Sequence, residues 1–257
     1  MKTSNNRRRT RMIATAAMAM ATASIASPAW ADEPGVAEQV YGATVEKGLT
    51  EFEARYGRLN GGNADGEDGL IFEAEHGFSR RFAGALLIQT GRDANGQRQT
   101  RGIAFEGIHT IGSIRPLKLD VAGYGEYRIG LNGEPDEIEG KLLLQHRAGG
   151  FDARLNLKVD KEFAAHQPVE FGYAASADWR IIGDEFKLGV AAFGGLGSTR
   201  KFLASDSHFI GPVAKVEIEH IGPGDIEIEG GWLRAFGRAR SETDGQARLL
   251  ISYELRF

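Results

Sequence analysis

Apolar and polar residues alternate with a period of two along most of the chain, and the carboxy-terminal segment shows the pattern best. One parity carries Ala247, Leu249, Ile251, Tyr253, Leu255 and Phe257. The other parity carries Arg248, Ser252, Glu254 and Arg256, with Leu250 as the exception. Because successive side chains of a strand point to opposite faces, this segment is predicted to be a strand with one apolar and one polar face.

Twelve segments of this kind, each about ten residues long, follow one another from residue 48 to residue 257. The turns after the even-numbered segments are short, whereas the connections after the odd-numbered ones are longer and rich in Gly, Asn and Asp. An even strand number with alternating short and long connections is typical of a transmembrane barrel. The pattern predicts an all-β fold, an up-and-down antiparallel transmembrane β-barrel of about 12 strands, with a bulge near Trp232 to Arg234 where the alternation slips.

The rings on the apolar parity indicate which face meets lipid. Aromatic residues of this parity cluster beside the short turns, at Phe78, Phe82, Phe151, Trp179, Phe186 and Phe257. Histidines lie at the same level, at His76, His109, His146 and His220. Amphipathic rings gather at headgroup depth, and a charge on the lipid face at mid-membrane costs about 2–4 kcal/mol. We therefore expect the apolar face to contact lipid and the polar face to line the lumen, rather than the reverse arrangement of a soluble periplasmic β-domain.

The polar parity supplies a set of candidate lumen residues of both signs. The set is Glu126, Arg128, Lys141, Arg147, Asp152, Arg154, Lys158, Lys215, Glu217, Glu219, Glu227, Glu229, Arg248, Glu254 and Arg256. These charges either pair across strands and fill the barrel or line a narrow channel. Twelve strands lie between filled eight-stranded barrels and open sixteen-stranded porins, so strand number leaves both interpretations open.

The amino-terminal 31 residues carry five basic and no acidic residues, an apolar run and a small-x-small ending at Ala31. This is the pattern of a secretory signal, with cleavage predicted after Ala31. Residues 32–47 show little periodicity and are expected to form a periplasmic lead-in before a barrel spanning 48–257. Removal of the signal changes the net charge from −4 to −9, which disfavours nucleic acid as a partner. Cysteine is absent, so neither disulfides nor thiolate metal sites are expected.

Candidate catalytic chemistry is confined to one outer loop. The run from Ser205 to His208 contains a nucleophile, an acid and a base, but Ser and Asp in loops are more often turn residues. The other histidines occur one per strand on the lipid parity, which disfavours a metal site. We therefore expect no catalytic residues, no metal site and no cofactor.

Three segments resemble a family of uncharacterised proteobacterial outer-membrane β-barrel proteins: Val40 to Gly57, His208 to Pro212, and Tyr253 to Phe257. The resemblance implies an outer-membrane location and a carboxy-terminal assembly signal formed by Tyr253, Leu255 and Phe257. It also implies the barrel-assembly machinery, periplasmic chaperones and outer-membrane lipid as partners. No activity is established for that family. The sequence favours a small channel or transport protein for polar solutes, the alternative being a closed structural or surface-binding barrel; a lipid-modifying enzyme is less favoured.

Overall fold

The computed structural model describes residues 36–93, 96–183, 185–203 and 206–257. Its strands are β1 (Leu49–Asn60), β2 (Asp68–Gly77), β3 (Phe82–Arg92), β4 (Gln99–Ile114), β5 (Leu119–Gly130), β6 (Glu137–Ala148), β7 (Phe151–Glu162), β8 (Glu170–Ile182), β9 (Phe186–Ser198), β10 (Lys201–Phe202), β11 (Ser207–Ile221), β12 (Gly224–Gly237) and β13 (Gly245–Arg256). Within these ranges there are two short helices, a 3₁₀ turn at Arg115–Leu117 and α1 at Ala239–Glu242. Among the described residues, no helix has the length and apolar character needed to cross a membrane.

Twelve long strands close into an antiparallel barrel, and the two-residue strand β10 extends the hairpin beyond β9. Each long strand pairs with its neighbour in sequence, and β9 pairs with β11 across the connection that contains β10. The barrel closes where β1 pairs with β13 in a register that runs from Leu49 opposite Arg256 to Asn60 opposite Gly245. The predicted fold class is confirmed.

The connections sort by length between the two ends of the barrel. At one end the links are short, at 78–81, 115–118, 149–150, 183–185 and 222–223. At the other end they are longer, at 61–67, 93–98, 131–136, 163–169, 199–206 and 238–244. Gly149 has a φ of +61° and Gly222 a φ of +67°, a left-handed conformation that tight turns require and that glycine adopts at little cost. We call these the short-turn end and the loop end.

Large apolar side chains cover the outside of the barrel, and aromatic rings flank them at both ends. Beside the short turns, Phe78 stacks on Phe82 with 6.0 Å between ring centroids, and Phe151 lies 4.9 Å from Trp179. Toward the loop end, the Phe171 ring meets the Phe202 ring edge to face at 5.6 Å. Apolar bands between aromatic girdles are what a transmembrane barrel presents to lipid and headgroups.

The bulge expected near Trp232 to Arg234 is absent from that position. The register of β12 runs without a shift through this stretch against both β11 and β13, and an irregularity occurs instead between Ile218 and Ile221. The alternation slips because Leu233 points inward and is completely buried, whereas Trp232 faces outward. An apolar residue on the lumen parity breaks the sequence pattern without breaking the strand.

Residues Val36 to Lys47, which we call the inner segment, lie inside the barrel rather than outside it as a periplasmic lead-in. The segment passes close to Gly57 and Gly69 in the loop-end half, and its last residues lie near Gly77 and Arg256 at the short-turn end. Tyr41 and Ala43 are buried against the wall. The segment therefore runs through the lumen before the chain enters β1.

An arginine on the lipid face is expected to destabilise the barrel according to its depth. Ile251 lies in the middle of β13 and faces outward, so Ile251→Arg should lower the free energy of unfolding by about 2–4 kcal/mol in lipid. Ile114 is also exposed but ends β4, so Ile114→Arg should cost about 0–1 kcal/mol. Urea unfolding in vesicles measures both. Equal costs for the two variants would contradict the proposed membrane span.

Candidate functional site: the barrel lumen

The candidate lumen residues divide by burial into three groups. The buried group is Arg128, Lys141, Lys215, Glu229 and Arg248. The half-buried group is Glu126, Asp152, Arg154, Lys158, Glu217, Glu227 and Glu254. The exposed group, at the short-turn end, is Arg147, Glu219 and Arg256. The first two groups form the inner surface of the barrel, and the third forms its short-turn rim.

One side of the lumen carries basic residues that are paired with acids. Lys215 is buried, and its Nζ lies 3.2 Å from an oxygen of Asp178 and 3.1 Å from an oxygen of Glu229. The guanidinium of Arg248 donates to the same Glu229 at 3.0 Å. Each cation therefore has a carboxylate within reach, which offsets the cost of burying its charge.

A second cationic pair lies on neighbouring strands. Lys141 and Lys158 stand directly opposite each other on β6 and β7. Glu139 lies between them, with its oxygens 3.0 Å from the Lys141 ammonium and 3.4 Å from that of Lys158. The Lys141 ammonium also lies over the rings of Tyr41 and Tyr124, at 4.7 and 4.6 Å from their centroids. Lys141 thus connects the wall to the inner segment through a cation–π contact.

Another part of the lumen, formed by β1, β2, β4 and β5, is acidic. We define the acidic wall as Glu51, Glu53, Glu73, Glu75, Glu106 and Glu126. The strand register places these carboxylates opposite one another, Glu51 against Glu75, Glu53 against Glu73, and Glu106 against Glu126. The sequence pattern put all six on the polar parity, but the predicted set contained Glu126 and left out the other five. The same alternation would have found them.

Arg55 is the cation in direct contact with the acidic wall. Its Nη2 lies 2.6 Å from Glu73 and its Nε lies 3.1 Å from Glu53. The guanidinium also donates to the hydroxyl of Tyr41 and the side-chain oxygen of Gln39, both at 3.0 Å. This buried arginine therefore ties two strands of the wall to the inner segment.

Part of the acidic wall has the spacing of a cation site. Glu73, Glu75 and Glu106 each place one oxygen within 4.8 Å of the others. The Oε2 of Glu106 accepts hydrogen bonds from Tyr41 at 3.0 Å and Tyr124 at 2.9 Å. Carboxylate oxygens at this separation are able to share one hard cation such as Ca²⁺. The sequence argument against metals considered the histidines and the absence of cysteine, and it could not foresee this juxtaposition of carboxylates.

The inner segment is bound to the wall through its own backbone. The N–H of Tyr41 donates to Asn156 Oδ1 at 2.8 Å, and Asn156 Nδ2 donates to the Tyr41 carbonyl at 3.0 Å. The N–H of Ala43 donates to the side chain of Gln145 at 3.0 Å. The carbonyl of Val40 accepts from Arg154 at 3.3 Å. Three polar side chains of β6 and β7 thus take the place of strand pairing for this segment.

A cavity of about 530 Å³ lies between the inner segment and the loop end. Tyr41, Tyr124 and Lys141 are among its lining residues from the middle of the barrel. Carboxylates and cations from strands β4 to β8 also line it, including Arg101, Arg128, Glu137, Lys158, Asp160 and Glu170. The cavity is a polar vestibule with room for a small hydrophilic solute.

The loop that contained the candidate catalytic residues does not assemble a catalytic group from the residues described. Ser205 lies outside the described residues. Ser207 is completely buried in the barrel, whereas the neighbouring His208 points outward, with its Nδ1 3.3 Å from the hydroxyl of Tyr173. Asp206 accepts from the Ser207 backbone N–H, as in an ordinary turn. Ser207 and His208 therefore diverge across β11.

The carboxy-terminal aromatic residues face away from the lumen. The Tyr253 hydroxyl donates to the Ile221 carbonyl at 2.9 Å, and Leu255 is half-buried at the same outer face. Phe257 is 88% exposed, and its N–H donates to the Gly48 carbonyl at 3.0 Å. Its ring is thus positioned at the short-turn end, free of the barrel interior.

Comparison with known proteins gives structural matches alone. No family model matches the chain, and no curated protein matches it in sequence. The COG4313 outer membrane channel from Pseudomonas putida F1 superimposes with a TM-score of 0.57 at 9% identity, over 88% of this chain and 99% of that one. The KdgM porin in complex with disordered oligogalacturonate gives a TM-score of 0.53 at 10% identity, over 80% and 99%.

At these identities the likeness establishes the fold. Together with the closed barrel, the apolar outer band and the ionic lumen, it defines the class: the chain is a twelve-stranded transmembrane β-barrel. Within that class, it is similar in architecture to porins and channels.

Proposed function

We propose that the protein is a small channel or transport protein for polar solutes, with a preference for cations and neutral solutes over anions. The observation that carries the proposal is the register of the acidic wall, in which carboxylates face carboxylates across three strand pairs. Like charges directly opposite one another destabilise a sheet. A lumen filled only for stability would instead place opposite signs across these pairs. Six carboxylates on neighbouring strands give this part of the lumen a negative potential, which suits the passage of cations.

The alternative is a closed barrel with a structural or surface-binding role. The inner segment favours it, because Tyr41 and Ala43 are buried in the middle of the lumen and occupy space that an open channel would need. The two functions differ in whether the refolded barrel conducts ions. Single-channel recording in planar bilayers separates them, because a closed barrel gives no steps above background.

Charge selectivity provides the mutational test of the acidic wall. Glu51 and Glu75 face each other and are half-buried rather than fully buried, so passing ions are able to approach them. The double variant Glu51→Gln and Glu75→Gln should lower the ratio of cation to anion permeability by roughly two-fold, because the local negative potential falls. Glu219→Gln, at the exposed rim, is the matched control and should leave the ratio unchanged. If both variants change the permeability ratio equally, the acidic wall does not determine the ion preference.

The charge of this lumen suggests a different solute from the one seen in a structurally similar porin. The KdgM porin was captured with oligogalacturonate, a polyanion. In this chain Lys215, Arg248 and Lys141 are all paired with carboxylates, and the acidic wall adds six further carboxylates to the lumen. We therefore propose a different solute class here. Competition of neutral and anionic sugars with ion current measures the preference, and block by the anionic sugar alone would contradict it.

We further propose export through a signal cleaved after Ala31, assembly through the terminal Tyr253, Leu255 and Phe257, and both termini at the periplasmic side. The barrel-assembly machinery, periplasmic chaperones and outer-membrane lipid would be the partners. We also propose that the chain belongs to the family of proteobacterial outer-membrane β-barrel proteins that its sequence resembles, and that it has no catalytic activity.

Because the chain has no cysteine, single cysteines report the topology cleanly. A cysteine replacing Arg200, in the loop between β9 and β11, should react with an impermeant maleimide on intact cells. A cysteine replacing Arg80, in a short turn, should react only after the outer membrane is opened. The opposite pattern would reverse the assignment of the loop end to the cell exterior.

A further inference from the structure

We infer that the inner segment, Val36 to Lys47, is a fixed constriction that sets the size limit for solutes in the lumen. The inference rests on the proposed channel function, and it assigns size selection to these residues rather than to the barrel wall or the outer loops. Three independent features of the structure support it: the hydrogen bonds of the segment, its apolar packing and the shape of the wall beside it.

The hydrogen bonds show that the segment is held in place. Asn156 is completely buried and bonds both the N–H and the carbonyl of Tyr41, and Gln145 bonds the N–H of Ala43. Withdrawal of the segment would leave these buried amides without partners unless water replaced it. Each unsatisfied buried group costs about 1–3 kcal/mol.

Apolar packing fixes the segment on two sides. Val40 belongs to a buried cluster with Phe193, Phe209 and Leu233, which point inward from β9, β11 and β12. Tyr41 and Ala43 belong to a second buried cluster, with Ile108, Ala122, Tyr124 and Leu143 from β4, β5 and β6. The segment is therefore wedged between two walls of the barrel, and it narrows the passage at that level.

The wall lacks side chains where the segment approaches it most closely. A Cβ atom at Gly57 would lie 2.5 Å from the backbone nitrogen of Ala37, and a Cβ at Gly77 would collide with the carbonyl of Glu46. Gly57 and Gly77 therefore make room for the segment along its path, so the barrel is built around it. At Gly69 the approach is looser, and a Cβ there would stand 3.3 Å from the Cβ of Ala37.

The first experiment removes the constriction from the full-length barrel. In one variant residues 38–45 are replaced by an equal length of Gly and Ser, and in a second Tyr41→Ala removes a single ring. Both should raise the single-channel conductance, the replacement several-fold, and both should admit larger polyethylene glycols into the lumen. Asn60→Ala removes a side-chain hydrogen bond to the Arg58 carbonyl at the end of β1, and it is the control that should keep the wild-type size limit.

The second experiment tests whether the segment stays in place during conduction. The Ala37→Cys and Gly69→Cys pair introduces the only two thiols, and their Cβ separation of 3.3 Å is near the range of about 3.5–4.5 Å found in disulfides. The oxidised and reduced forms should conduct equally, because a fixed segment does not move. This variant changes only Ala37 within the inner segment, so it remains informative if the replacement variant fails to refold.

The outcomes separate the two proposals. Suppose that the wild type conducts and that Tyr41→Ala and the replacement variant both keep its conductance and size limit. This result would overturn the constriction but would not affect the proposed channel function. A loss of conductance on oxidation of the cysteine pair would overturn the fixed position, since it would show that the segment must move. If the wild type gives no current steps but the replacement variant does, the inner segment blocks the lumen. This result would support the constriction and overturn a conducting native lumen. No steps from any variant would overturn the channel, and the size-limit inference with it.

Discussion

Replacing Arg55 with methionine is expected to lower the free energy of unfolding by about 3–5 kcal/mol. The Arg55 side chain is 4% exposed and pairs with Glu73 at 2.6 Å and Glu53 at 3.1 Å. Methionine has a similar volume but no charge, so it leaves two buried carboxylates that already oppose each other across β1 and β2 without their cation. The hydroxyl of Tyr41 loses a donor as well.

Arg256→Met is the matched control for this loss. Arg256 also contacts several carboxylates, with Asp225 at 2.7 Å and Glu254 at 2.9 Å, but its side chain is 50% exposed at the short-turn rim. Water screens such a pair, and the expected cost is about 0–1 kcal/mol. Urea unfolding followed by tryptophan fluorescence measures both variants. Similar costs would show that the acidic wall is solvated as freely as the rim, contrary to the buried arrangement described above.

Replacing Asn156 with leucine is expected to be the second large loss, about 2–5 kcal/mol. Leucine fills a similar volume but cannot bond the Tyr41 N–H and carbonyl, which are otherwise satisfied at 2.8 and 3.0 Å. Two buried backbone groups would then lack partners in the middle of the lumen. The inner segment should loosen, and the conductance should rise along with the fall in stability.

Gln89→Leu provides the comparison for the asparagine variant. Gln89 also contributes a lumen hydrogen bond, to Glu126 at 3.2 Å, but it does not bond the inner segment. Its loss should cost about 1 kcal/mol or less and should not loosen the inner segment. If Asn156→Leu changes stability but not conductance, the segment is held by its apolar clusters rather than by its backbone hydrogen bonds.

The barrel itself was predictable because the alternation of neighbouring residues in the sequence determines which side chains face lipid. A residue that faces lipid must be apolar, and its neighbours in the strand face the other way, so parity alone distinguishes the two faces. The pattern failed where the lumen also accepts apolar residues. Leu233 and Phe209 are both inward and completely buried, so their strands lose the alternation that marks the lipid face elsewhere.

The inner segment could not be predicted, because its stability comes from distant partners. Tyr41 bonds a residue 115 positions away, and Ala43 bonds one 102 positions away. No short-range periodicity records such contacts. The acidic wall was visible only in part for a related reason. Parity places Glu51 and Glu75 on the inner face, but their opposition depends on the register between strands, which parity does not define.

The reversal potential of single channels from the wild-type barrel, recorded across a gradient of potassium chloride, reports both conduction and ion preference. We expect discrete steps of small conductance, because the inner segment narrows the lumen. We also expect a reversal potential whose sign shows preference for potassium, because the acidic wall gives the lumen a negative potential. If there are no steps, or if the reversal potential has the sign of chloride preference, a cation-preferring channel is excluded.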